Sequence, residues 1–149
     1  MIRRAVFVLA AVFIHNGAAA KTYTLNASSS KMRVVDGDTV HYGNLKFRLC
    51  GIQAPEHNQP YYRHATRMLK RLLGKGQVRA NVVYTDKYRR KVAVMFAAKG
   101  VSVDEQMVRQ GGAKHYKRYS AGCEPFVSPA RLDAAEERAR KKRRGIWKK

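Results

Sequence analysis

The chain has 149 residues, 31 of them Lys or Arg and only 10 Asp or Glu, for a formal net charge of +21. That length fills one domain with one core and leaves no comfortable room for two. The charge excludes cationic partners and points to polyanions, with nucleic acid first and an anionic envelope surface second.

Residues 1–20 carry a secretory signal pattern. Arg3 and Arg4 give a positive start, Ala5 to Ile14 is apolar, and Ala18-Ala19-Ala20 offers a cleavage site. The apolar run is far short of the ~20 residues that span a bilayer. Cleavage after Ala20 would leave residues 21–149 as the working domain. Arg3 and Arg4 are the only charges lost, so +21 minus 2 leaves +19. No second long apolar segment follows. The mature chain is therefore expected to be secreted or periplasmic, without an integral membrane segment.

Lys21 to Lys31 is polar and Ser-rich and reads as a lead-in arm. Met32 to Val35 is a short strand running into Asp36-Gly37-Asp38. Thr39 to Tyr42 and Leu45 to Ile52 flank Gly43-Asn44, the signature of a hairpin. On the second strand Leu45, Phe47 and Leu49 share one face, and Lys46, Arg48 and Cys50 share the other. Pro60 opens a helix in which Tyr61, Ala65, Met68, Leu69 and Leu72 recur at helical spacing, with Gly74 as terminator. Val78 to Tyr84 and Val92 to Phe96 alternate as paired strands around the loop Thr85 to Arg90. Ser102 to Glu105 fits a capping box before a short helix that ends at Gly111. Tyr116 to Val127 is an irregular loop, and Ser128-Pro129 starts the last helix. Five short strands rolled into a small barrel with helices around it account for this order.

The scarce acids stand beside chosen arginines. Asp36-Gly37-Asp38 alone would usually only make a turn. Arg48, within a strand rich in apolar residues, needs an anionic partner. Carboxylates hold hard cations or handle water, and guanidinium groups clamp phosphates, so the combination suggests phosphodiester chemistry. Two cysteines in an exported chain predict a Cys50–Cys123 disulfide, which would tie the long loop to the strand bearing Arg48. Neither cysteine belongs to a cluster that would bind zinc.

Several ordered motifs together resemble the staphylococcal nuclease, or thermonuclease-like, family. They are Val34-Val35-Asp36-Gly37-Asp38-Thr39, Arg48 through Glu56, Gln59-Pro60-Tyr61, Thr85 through Arg90, Val108 through Ala113, and Gly145-Ile146-Trp147. The resemblance spans nearly all of the mature chain. It implies an α+β, mainly β fold, an OB-fold five-stranded barrel with three helices, and calcium-dependent endonuclease activity on DNA and RNA. It places the catalytic groups at Arg48, Glu56 and Arg90 and a calcium-binding carboxylate at Asp38. It also places nucleotide-contacting residues at Lys87 and Tyr88 and around Lys114, Tyr116 and Tyr119, where lysines track a backbone and tyrosines stack on unpaired bases.

Two departures bear on that expectation. Gln53 stands where the family pattern has a second metal-ligating Asp, so metal dependence is expected to be weakened or altered, with Gln53 as a neutral oxygen donor. Arg89 stands where a Gly usually precedes the second catalytic arginine, and spacing from Asp86 favours Arg90 over Arg89. The expected function is that of a monomeric, sugar-nonspecific endonuclease using water as nucleophile. One rival is an OB-fold that only binds nucleic acid, kept alive by Gln53. The other, a membrane-disrupting basic protein, lacks any segment with a long apolar face opposite its charges.

Overall fold

The computed structural model describes residues 22–148, and the expected signal segment, residues 1–20, lies outside the described residues. Nine strands and four α-helices follow in order: β1 Tyr23–Ser28, β2 Met32–Val34, β3 Thr39–Tyr42, β4 Leu45–Leu49, β5 Ile52–Gln53, α1 Tyr62–Leu73, β6 Gln77–Thr85, β7 Lys91–Ala97, β8 Val101–Ser102, α2 Val103–Arg109, β9 Lys114–His115, α3 Lys117–Ser120 and α4 Pro129–Lys141.

The main sheet has the order β1-β6-β7-β4-β3-β2, with β8 also paired to β7, and β5 pairs with β9 separately. The sheet curls into a partly open barrel of OB type, an α+β architecture as the sequence predicts. One junction, β4 with β7, is parallel, and the other ladders are antiparallel. Val40, Phe47, Leu49, Val78, Val82 and Val94 fill its interior. Ala65, Met68 and Leu69 of α1, Val103 and Met107 of α2, and Leu132 of α4 close the core.

Local chemistry sets several boundaries. The hairpin between β3 and β4 turns at Gly43, which takes φ +55°. The Ser102 hydroxyl accepts the Glu105 N–H at 3.3 Å, and Ser128 does the same for Arg131, so both predicted N-caps are formed. Gly74 ends α1.

Three expectations change. The polar stretch read as a lead-in arm contains β1, an edge strand paired with β6 from Tyr23 opposite Val82 to Ser28 opposite Gln77. The strand expected over Leu45 to Ile52 breaks at Cys50-Gly51, because Gly51 takes φ +70° and turns the chain from β4 into β5. The loop Tyr116 to Val127 contains the one-turn helix α3, additional to the three helices expected.

The predicted disulfide is present. Cys50 and Cys123 are bonded and fully buried, 73 residues apart in sequence. Cys50 therefore lies inside the break between β4 and β5 and not on an open strand face. Among the described residues, no helix is long and apolar enough to cross a membrane.

Candidate active site

Gly37 lets the Asp36–Asp38 turn approach closely. A Cβ there would stand 2.6 Å from the Ala54 Cβ and 2.7 Å from the Ala65 Cβ. The turn thus nests between α1 and the segment that leads to Glu56. Asp38 follows with its N–H donating to Asp36 Oδ1 at 3.0 Å. Its own carboxylate is almost enclosed: Oδ2 accepts the Ala54 N–H at 2.8 Å, and Oδ1 accepts the Thr39 hydroxyl at 3.2 Å.

Arg48 is equally enclosed, and its anionic partner is Asp38, with Nη2 3.1 Å from Oδ2. The same guanidinium ties together the turn that follows β4. Nη1 donates to the Leu49 carbonyl at 2.9 Å, and Nη2 donates to the Ile52 carbonyl at 2.7 Å and to Gln53 Oε1 at 3.1 Å. The fully buried Asp104 carboxylate holds the turn from behind, accepting the N–H groups of Cys50 and Met95 at 2.8 Å each. Burial pushes the Asp38 carboxyl up to about 6. Arg48 and the Ala54 N–H pull it down, Asp36 pushes it up further, and burial prevails.

Gln53 links this buried pair to the exposed Glu56. Its Oε1 faces Arg48, and its Nε2 donates to Glu56 Oε1 at 2.8 Å. The Glu56 backbone is fixed by Gln59, whose Oε1 accepts the Glu56 N–H at 2.9 Å. Asp38, Arg48, Gln53 and Glu56 therefore form one hydrogen-bonded chain from the barrel wall to solvent.

Arg90 is held from the β6–β7 loop. Asp86 Oδ1 accepts its backbone N–H at 2.9 Å, and Oδ2 pairs with Nε at 2.8 Å. Burial pushes the Asp86 carboxyl up, but the N–H groups of Arg90 and Tyr88 and the Arg90 guanidinium outweigh it and hold it below the usual carboxylate range. Arg89 is exposed and takes φ +62°, the left-handed region that favours glycine, which is why a glycine would suit this position. The geometry thus separates the two arginines: Arg90 is anchored and Arg89 is not.

Tyr84, in β6, lies within electrostatic reach of both arginines. Burial raises its pKa, Asp86 and Tyr119 raise it further, and Arg48 and Arg90 lower it. The ladder slips between Val82 and Tyr84, an irregularity that simple alternation hides.

Around this centre, Tyr88 is exposed, with the Lys87 ammonium 5.0 Å and the Arg90 guanidinium 5.3 Å from its ring centre. Tyr116 and Tyr119 are exposed and meet edge to face at 4.9 Å. The Tyr116 N–H donates to the Gly51 carbonyl at 2.8 Å, which docks this pair on the turn after β4. Lys114 lies opposite Gln53 in the β5–β9 ladder, but its ammonium sits over Trp147 at 5.5 Å. β9 itself is pinned to α4: Nδ1 of the buried His115 ring hydrogen-bonds Asp133 at 2.8 Å, and the His115 backbone N–H donates to Glu136 at 3.3 Å.

Among the described residues, no three His, Cys, Asp or Glu side chains gather as a metal cluster. The oxygen donors a hard cation would find are one carboxylate from Asp38 and one amide oxygen from Gln53, and both face the Arg48 guanidinium, so they fit such an ion only as a weak, incomplete ligand set. Water and substrate oxygens would complete the shell.

The profile of the family described as staphylococcal nuclease homologue matches residues 46–149. A protein named an uncharacterized endonuclease from Escherichia coli O157:H7 is 33% identical over 120 residues, covering 78% of this chain and 74% of the relative. A similarly named protein from Haemophilus influenzae is 34% identical over 121 residues, covering 78% and 64%. A staphylococcal-like nuclease from Arabidopsis thaliana is 33% identical over 125 residues, covering 83% of this chain but 36% of that longer protein.

Proposed function

The chain belongs to the family of staphylococcal nuclease homologues, and from that premise we propose that it is an exported, monomeric endonuclease that hydrolyses phosphodiesters of both DNA and RNA. Residues 1–20 are its signal segment and residues 21–149 its single nuclease domain. A buried disulfide supports passage through an oxidising compartment. The observation that carries the catalytic reading is the Gln53 bridge. It joins a buried Arg48–Asp38 pair to an exposed carboxylate, Glu56, in a chain whose surface is otherwise strongly basic.

In this reading Glu56 accepts a proton from, or orients, the attacking water. Gln53 aims that carboxylate, because its amide N–H holds one oxygen while its carbonyl faces Arg48. Arg90, oriented by Asp86 through Nε, presents its terminal nitrogens to phosphate oxygens, and Arg48 supplies positive charge from the barrel wall. Asp38 and Gln53 would hold calcium, which when bound neutralises phosphate charge; with one carboxylate the ion is held weakly. Lys87, Tyr88, Tyr116 and Tyr119 grip the strand, and no covalent intermediate is required.

The test is degradation of plasmid DNA, single-stranded DNA and RNA by purified 21–149, with calcium and with chelator. Cleavage of all three in calcium is expected. Binding of all three without cleavage in either condition would replace this reading with that of a nucleic-acid-binding OB-fold.

A further inference from the structure

Helix α1 carries a second feature that the cleavage chemistry does not use. Two clefts lie along it. One of about 420 Å³ is lined by His57, Gln59, Tyr61, Tyr62, Arg63, His64 and Arg67. The next, about 400 Å³, is lined by His64, Arg71, Arg109 and Arg144 among others. His64 borders both, so the two lie side by side along the helix.

Their charge is one-sided. Arg63, Arg67, Arg71, Arg109 and Arg144 line them, and none of the chain's ten acidic residues does. Among the described residues, none of these five arginines takes part in an ion pair. Elsewhere several of the scarce carboxylates pair with cations, as Asp86 does with Arg90 and Glu105 with Arg131. Guanidinium groups crowded within a Debye length of ~10 Å repel one another unless a polyanion lies between them.

The spacing and chemistry suit a particular polyanion. Arg63, Arg67 and Arg71 recur every fourth residue and share one face of α1, rising about 6 Å at each step. That step is of the order of the separation of neighbouring phosphates in an extended strand. Aromatic rings accompany them: His57 meets Tyr62 edge-on at 5.1 Å, and Tyr61 meets His64 at 6.1 Å. Edge-on packing leaves ring faces for unpaired bases. The clefts also begin where the reaction ends. Gln59, which holds the Glu56 backbone, lines the first of them.

We propose that the clefts along α1 form an extended binding track for a single-stranded polynucleotide, carrying the strand from Glu56 past Arg63, Arg67 and Arg71 toward Arg109 and Arg144. This rests on the nuclease reading for its direction, but its binding can be tested without cleavage. The track would favour long substrates over short ones at one active site.

The test compares Arg63→Gln/Arg67→Gln/Arg71→Gln with a charge-matched control, Lys31→Gln/Lys46→Gln/Lys75→Gln, whose lysines are exposed and outside both clefts. Both are first checked for an unchanged unfolding temperature. Affinity for a labelled single strand of about thirty nucleotides is measured across a salt series in a Glu56→Gln background. The arginine triple should weaken binding about tenfold at near-physiological salt and flatten the log–log salt slope by about 2, three phosphate contacts at ~0.7 each. The control should change either value far less. With Glu56 intact, cleavage of a dinucleotide should be unaltered, while KM for the long strand rises. Equal losses in the two triples, or equal losses on short and long substrates, would overturn the track. If the intact protein cleaves nothing yet the binding difference stands, the nuclease reading fails and the track survives. Loss of binding to phosphatidylserine-rich vesicles with strand affinity intact would assign the surface to a membrane and overturn it.

Discussion

Removing the disulfide by Cys50→Ala/Cys123→Ala perturbs stability and substrate grip together. The bridge closes a loop of 73 residues. Loop-closure entropy of that size amounts to ~15 cal/mol/K, or about 4 kcal/mol at room temperature. A domain of about 130 residues unfolds with ~0.27 kcal/mol/K of entropy, so the expected fall in Tm is about 15 °C. The bridge also presses the turn after β4 against the α3 region. A Cβ on Gly51 would lie 3.1 Å from Cys123 Sγ and 3.2 Å from the Ser120 Cβ, and the Gly51 carbonyl holds the Tyr116 N–H. Loosening that contact should raise KM through Tyr116 and Tyr119 more than it lowers kcat. The assays are thermal unfolding followed by circular dichroism, thiol titration of the native protein, and steady-state cleavage well below the variant's Tm. A variant melting within about 3 °C of the parent would refute the entropy argument. Two titratable thiols in the untreated parent would refute the bridge itself.

Other expectations follow from the same geometry. Gln53→Asp adds a second carboxylate beside Asp38, so calorimetry should show tighter calcium binding; unchanged affinity would remove position 53 from the ligand set. Asp38 holds its proton up to about pH 6 in the fold but only to 3.8 in the unfolded chain, so its ionisation destabilises the fold as pH rises through that window. Calcium needs the carboxylate, so calcium affinity should be weak at about pH 5 and level off above about pH 7, and a flat profile would contradict the assignment. Arg89→Gly relieves a left-handed residue and should leave cleavage intact while raising stability by up to about 1 kcal/mol. Arg90→Ala should cost ~10²–10³ in kcat, and the reverse ranking of these two variants would mean that the wrong arginine has been chosen.

Much of this arrangement was legible in the sequence because the signals were local or chemically forced. The caps at Ser102 and Ser128 depend on residues three apart, and the hairpin turns on Gly43. Arg48 in an apolar strand demanded an anion, and Asp38 is that anion. What escaped the sequence depends on tertiary partners. β1 does alternate apolar Tyr23, Leu25 and Ala27 with polar Thr24, Asn26 and Ser28, but it buries only Ala27 well, and it is the pairing with β6 that makes this edge segment a strand. The break at Cys50-Gly51 requires one glycine dihedral and the Arg48 guanidinium bonding the turn's carbonyls. The Lys114 ammonium lies over the Trp147 ring, 33 residues further along, a contact that no local signal gives. Gln53 stood out as a departure from the family pattern, while its bridge to Glu56 depends on how the chain turns after β5.

The most direct test of the central claim is single-turnover cleavage of a labelled strand by the parent and by Glu56→Gln, with strand affinity measured alongside. The account predicts that Glu56→Gln keeps its affinity within about threefold and loses at least ~10²-fold in the cleavage rate, the scale of a lost general base. Cleavage at the parent rate by Glu56→Gln would contradict it and place the chemistry elsewhere on the protein.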